Sequence, residues 1–197
     1  TMPKLIANST GDQFFLPDSS KFYFNNMVGK NYLHYAANTD HSLTSSLMVD
    51  MDTLETILAF YRAHVRNMAD GGANPVAMPT YDWEYLPDRT AVVDGQLVTY
   101  ARTKVTADTM PREGIIKLWT AYAGNQRDFR LESSEPPLWV SEDVSYDEAE
   151  GGWIIEAEVP RIGWRGFYGQ LRFEGTAPGA DFLFTTPVRV EPDNRYP

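Results

Sequence analysis

Two residues in the first quarter of the chain could do hydrolytic chemistry together. Asp12 ends the turn Asn8-Ser9-Thr10-Gly11-Asp12, and His41 sits in the loop Asn38-Thr39-Asp40-His41-Ser42. A carboxylate beside an imidazole fixes its tautomer and stabilises the imidazolium, while the imidazole takes a proton from a hydroxyl and returns it to a leaving group. Taken singly, an aspartate in a turn and a histidine in a loop are ordinary. Their order and spacing join them, because 29 residues is the interval that one helix plus one strand occupies. Asp18 and Asp40 are rival acids, but a capping role explains Asp18 better. His34 falls within a strand and reads as structural. His64 stands between Arg62 and Arg66 on a helix and reads as solvated. No Gly-x-Ser-x-Gly segment occurs and no serine lies between two glycines, so the nucleophile has to come from elsewhere. Metal-ligand spacing and a phosphate-binding glycine loop are also missing, so neither metal nor cofactor is expected.

The elements that must position this pair follow from the apolar pattern. Lys4 to Asn8 predicts a short buried strand, Pro17 starts a helix reaching about Asn26, and Lys30 to Ala36 predicts a second strand. Leu47, Met51, Leu54, Leu58, Tyr61 and Val65 recur at alternating spacings of four and three. They predict a helix over Leu47 to Met68 whose apolar stripe covers a sheet, stopped by Gly71-Gly72. Strand, acid loop, helix, strand, histidine loop, helix is the order in which an α/β-hydrolase sheet ends. Two parallel strands cannot close such a sheet, so its inner edge calls for a further segment.

The stretch Met68 to Pro79 is rich in glycine and proline and marks the expected boundary between residues 1–70 and 71–197. Beyond it, Leu97–Val105, Ile115–Ala123, Trp153–Val159, Phe167–Phe173 and Phe182–Val190 predict strands separated by turns such as Asp94-Gly95 and Gly151-Gly152. The expected fold class is therefore α/β followed by all-β: the C-terminal end of an α/β-hydrolase sheet, then an Ig-like antiparallel β-sandwich. Trp119, Trp139, Trp153 and Trp164 with Tyr122, Phe167 and Tyr168 read as its core, although such rings could also line a carbohydrate or peptide surface. Arg127-Asp128-Phe129-Arg130 reads as an edge or interface ion pair.

Composition narrows the partners. With a formal net charge of −10 and no basic run, the chain would be repelled by nucleic acid and by anionic membranes. It has no cysteine, which excludes disulfides, thiolate metal sites and a cysteine nucleophile. No apolar run is long enough for a transmembrane helix. The start at Thr1-Met2-Pro3 lacks a leader's apolar stretch and reads like the interior of a protein, so a fragment or processed chain is expected. The sequon Asn8-Ser9-Thr10 falls at the end of a core strand and reads as a chance match.

Several segments resemble a known family. Pro3 to Ser20, with its Asp12-x-Phe14-Phe15-x-Pro17-Asp18-Ser19 core, looks like the acid-loop segment of the PhoPQ-activated pathogenicity-related proteins. Tyr32-Leu33-His34-Tyr35 and Asn38 to Leu43 resemble their histidine segment. Leu118 to Ala121, Arg127 to Arg130, Pro160 to Trp164 and Thr185 to Pro187 are similar to the C-terminal part; Ala36-Ala37 departs from the expected Val-Pro pair. The resemblance implies an exported (periplasmic or secreted) protein, with Asp12 as acid, His41 as base, and a serine on an N-terminal portion. The expected function is the C-terminal part of a serine-type hydrolase cleaving an ester or amide bond in a small molecule or peptide. The alternative is a non-catalytic binding, signalling or carbohydrate-binding protein on a hydrolase-like scaffold.

Overall fold

The computed structural model describes residues 2–45, 48–66, 77–133, 138–177 and 180–193. The chain opens with strand β1 (Lys4–Ser9), two short 3₁₀ turns over Ser19–Phe22 and Phe24–Asn26, and strand β2 (Asn31–Ala36). β1 and β2 pair in parallel with Lys4 opposite Asn31 and Ser9 opposite Ala36. A parallel pair needs a crossover, which residues 10–30 provide. A two-residue ladder, β3 (Thr44–Ser45) with β4 (Met48–Val49), precedes helix α1 (Met51–Tyr61).

The remainder is antiparallel. A long hairpin of β5 (Tyr81–Val93) and β6 (Gln96–Ala107) turns at Asp94-Gly95, both at positive φ as a tight hairpin turn requires. Next come β7 (Ile115–Ala123), β8 (Val140–Ser145), β9 (Trp153–Glu158), β10 (Trp164–Ala177), β11 (Ala180–Thr185) and β12 (Arg189–Glu191). They form a sheet ordered β11-β10-β7-β8, with β12 also on β10, and a second sheet ordered β5-β6-β9. In β9, Trp153, Ile155 and Ala157 are buried while Glu156 and Glu158 alternate outward, so strand periodicity places one face on the core.

The expected α/β-hydrolase sheet followed by an Ig-like sandwich is not what the chain forms. The fold is mostly β, and among the described residues the parallel pairing is confined to β1 and β2. The segment expected as a helix to Asn26 makes only 3₁₀ turns, with Asp18 offering no cap to the first of them. The two antiparallel sheets instead pack with the front elements on shared cores. Tyr32, Ala59 and Ala63 lie in one cluster with Val105, Ile155 and Phe184, and the Tyr32 and Phe184 ring centroids are 4.7 Å apart. Leu33 and Tyr35, on the other side of β2, pack with Ala121, Trp164 and Tyr168. Trp139, Trp153, Trp164, Phe167 and Tyr168 are buried and Trp119 is half-buried, whereas Tyr122, expected in the core, is exposed.

Helix α1 is shorter than expected and turned the other way. It runs into a π turn over Arg62–Arg66; Leu47, Met68 and Gly71-Gly72 lie outside the described residues. Its buried face is Thr53, Thr56 and Ala59, while Met51, Leu54, Leu58 and Tyr61 are exposed. Small residues let the helix approach β11 closely, and the threonine hydroxyls find partners there. Thr56 Oγ1 accepts the Leu183 N–H at 3.2 Å and donates to the Asp52 carbonyl at 2.8 Å. Thr53 donates its hydroxyl to Asp50, which also caps the helix by accepting the Thr53 N–H at 2.7 Å. These hydrogen bonds offset the cost of taking the hydroxyls out of water, so threonine can stand where an apolar residue is expected.

Candidate active site

Because β1 and β2 run in parallel and in register, the loops that follow them leave the same end of the pair. The loop after β1 carries Asp12 and the loop after β2 carries His41. Short polar clasps hold the two loops together. The Gly11 N–H donates to the Thr39 carbonyl at 3.0 Å, the Asn38 N–H to Thr10 Oγ1 at 2.8 Å, and Ser9 Oγ lies 2.6 Å from Thr39 Oγ1. Gly11 is required there, since a Cβ on it would stand 2.8 Å from the Thr39 oxygen.

These clasps bring the two expected residues into contact. His41 Nδ1 stands 2.8 Å from Asp12 Oδ2. The other carboxylate oxygen, Oδ1, accepts the Phe14 N–H at 2.7 Å and the Phe15 N–H at 3.0 Å, which fixes the carboxyl plane. An ionised carboxylate only accepts, so Nδ1 carries the proton and the neutral ring keeps its lone pair on Nε2. Among the described residues Nε2 has no hydrogen-bond partner, and no hydroxyl stands in the nucleophile's place. The imidazole is half-exposed while the aspartate side chain is 10% exposed. Gln13 Oε1 accepts the His41 N–H at 3.1 Å, and the Phe14 ring meets the imidazole edge-on at 4.9 Å. No role at the site is expected of Gln13 or Phe14 from the sequence, because turn residues carry no periodicity, although Phe14 falls in the segment that carries the family resemblance.

The rival residues have other duties. Asp40 builds the histidine loop: its Oδ1 accepts the Ser42 N–H at 2.9 Å and the Thr44 N–H at 3.2 Å. Asp18 is buried and ion-paired with Arg127 and, at 3.0 Å, with Lys21. Burial pushes the Asp18 carboxyl up, but the two cations outweigh it and hold the group below its ordinary value. Arg127 thus joins the front of the chain to the β-rich part, whereas Arg130 pairs locally with Asp128 at 2.7 Å. His34 is fully buried in β2, its Nδ1 donating to the Leu183 carbonyl at 2.9 Å and its Nε2 3.0 Å from Thr53 Oγ1. His64, expected in water, is half-buried against Phe60, and burial lowers its pKa.

A recess of about 400 Å³ opens beside Asp12. Gln13, Phe14, Phe15 and Leu16 form one wall, and Gln126, Arg127, Asp128 and Arg130 the other. Among the described residues there is no group of acidic residues and histidines able to hold a metal, and no helix long and apolar enough to cross a membrane.

Comparison with known proteins gives two matches. The sequence model of a family described as PhoPQ-activated pathogenicity-related protein matches residues 1–130. The autocrine proliferation repressor protein A of Dictyostelium discoideum is 27% identical over 214 aligned residues, which cover 98% of this chain and 38% of that protein. The chain thus spans well under half the length of this curated relative. No solved structure matches.

Proposed function

The chain belongs to the PhoPQ-activated pathogenicity-related protein family, and on that premise we propose that it supplies the acid and base of a serine-type hydrolase cleaving an ester or amide bond. The carrying observation is the 2.8 Å Asp12–His41 contact with the Nε2 lone pair left open. In this reading His41 Nε2 takes the proton of a serine as it attacks the carbonyl, then hands it to the leaving group. Asp12 holds the ring in the required tautomer and stabilises the imidazolium. The serine belongs to a segment outside residues 1–197, and the product leaves from an exported, envelope or secreted protein.

Two observations support a docked segment. The chain corresponds to 38% of the length of its Dictyostelium relative. The front of the chain also exposes apolar side chains that a packed surface would cover, among them Met48, Met51, Leu54, Leu58 and Tyr61. The test is turnover of activated esters by the full-length protein. His41→Ala should abolish it while the folded circular-dichroism spectrum is kept, and undiminished turnover would reject the assignment.

A second reading follows from the name of the relative, which describes a proliferation repressor. Here the pair is a relic on a binding or signalling protein. A full-length sequence without a serine able to reach His41 would favour it.

A further inference from the structure

A cavity of about 460 Å³ lies at one end of the two antiparallel sheets, between the start of β6, the end of β9 and the β7–β10 pair. Leu97, Val159, Ile162 and Tyr122 give it apolar walls, and its charged lining is two cations, Arg161 and Arg165, against one acid, Glu158. Arg165 also lines an adjoining cavity of about 300 Å³ beyond β9, so it stands between the two lobes. Its guanidinium lies 5.5 Å over the Tyr122 ring, directly across the β7–β10 ladder.

The charge balance at this place is unusual for the molecule. The protein is strongly acidic, and every other described arginine of the β-rich part, from Arg89 to Arg189, holds a carboxylate. Among the described residues Arg161 and Arg165 do not. Glu191, opposite Arg165 on β12, is taken by Arg189 at 2.6 Å. Glu156 is taken by Arg89; Glu158 lines both cavities and Glu142 the smaller one, but among the described residues neither is ion-paired with Arg165. Among the described residues Arg161 has only a long bond, 3.4 Å, from Nη2 to the Leu97 carbonyl. Arg165 Nε is shut off from water and has no hydrogen-bond partner among the described residues. A shielded guanidinium donor left unmatched costs stability unless something accepts from it.

We propose that this cleft binds a small anionic ligand, a carboxylate or phosphate on a compact body, with Arg165 and Arg161 on the oxyanion and the body against Tyr122, Leu97 and Ile162. A guanidinium fork matches either oxyanion through paired N–H donors, and the cleft's partial shielding strengthens those bonds. The site is independent of Asp12 and His41.

The test is calorimetric titration of the full-length protein at low ionic strength with hexanoate, with inorganic phosphate, and with hexanol as the neutral match. At least one anion should bind about tenfold or more tightly than hexanol, and Arg165→Met should remove that advantage. Arg165→Met breaks no ion pair, so its melting temperature should stay near that of the parent, and His41→Ala should bind the anion unchanged. Tighter hexanoate identifies a carboxylate on an apolar body; tighter phosphate identifies a phosphate. In the parent protein, phenylglyoxal labelling of Arg165 read by mass spectrometry should slow when the anion is saturating, a result that does not depend on any variant folding. Anions binding no better than hexanol, binding indifferent to Arg165→Met in a folded variant, or unprotected Arg165 would each overturn the proposal.

Discussion

Gly11 gives its backbone N–H to the Thr39 carbonyl at 3.0 Å, and this bond ties the loop bearing Asp12 to the loop bearing His41. The approach leaves no room for a side chain, because an added Cβ would also stand 3.0 Å from Leu131 Cβ. Gly11→Ala should therefore lower stability by about 1–3 kcal/mol, the usual cost of forcing an atom into packed surroundings. Urea denaturation checks this.

Asp12→Asn separates orientation from packing. The amide oxygen can still accept the Phe14 and Phe15 N–H groups, so stability should change little. Its NH₂ would face His41 Nδ1 and draw the lone pair there, leaving the proton on Nε2, where it cannot serve as a base. In the proposed hydrolysis, kcat of the full-length protein should fall by on the order of 10³–10⁴.

The Asp18–Arg127 pair makes a pH prediction. The folded carboxyl is held below its usual value of 3.8, so the unfolded chain binds more protons in the acid range. The pair's contribution is complete above that usual value and is lost as pH falls through the folded one. Asp18→Ala should cost about 3 kcal/mol near neutrality, since it leaves Arg127 half-buried and unpaired. The loss should shrink below pH 4 in urea midpoints taken across a pH series.

Asn38 sits at φ 55° and exchanges two side-chain bonds with the Trp139 backbone, at 2.8 and 2.9 Å. Asn38→Gly keeps the backbone at ease and loses the bonds, so it should cost about 1–3 kcal/mol. Asn38→Ala adds the strain of a left-handed backbone and should cost about 1 kcal/mol more. Thermal melts of the two variants separate the contributions.

Leu54→Glu with Leu58→Glu tests the docked segment. Both side chains are exposed on α1, so residues 1–197 alone should fold equally well and become more monodisperse in size-exclusion chromatography. In the full-length protein the same pair should expose the front of the chain to limited proteolysis.

What the sequence disclosed depends on the range of the forces involved. Asp12 and His41 could be paired because chain order and a single crossover fix which ends of β1 and β2 lie together. The facing of α1 could not be read, because Thr53 and Thr56 gain their right to be buried from Asp50 and Leu183, partners that periodicity does not see. β5 was hidden by Pro87-Asp88, which falls at a register shift in its ladder, and β8 by the polar run Ser141-Glu142-Asp143. The bond from Asn38 to Trp139 joins residues 101 positions apart, and nothing local announces it.

The ring contact between Tyr32 and Phe184 sets a limit on how this protein can be divided. Tyr32, Ala59 and Ala63 come from before residue 70 and Val105, Ile155 and Phe184 from after it, yet they fill one interior. A gene interrupted between the two would yield pieces that each lack an inner wall, and neither could be traded for a foreign counterpart without refitting the other.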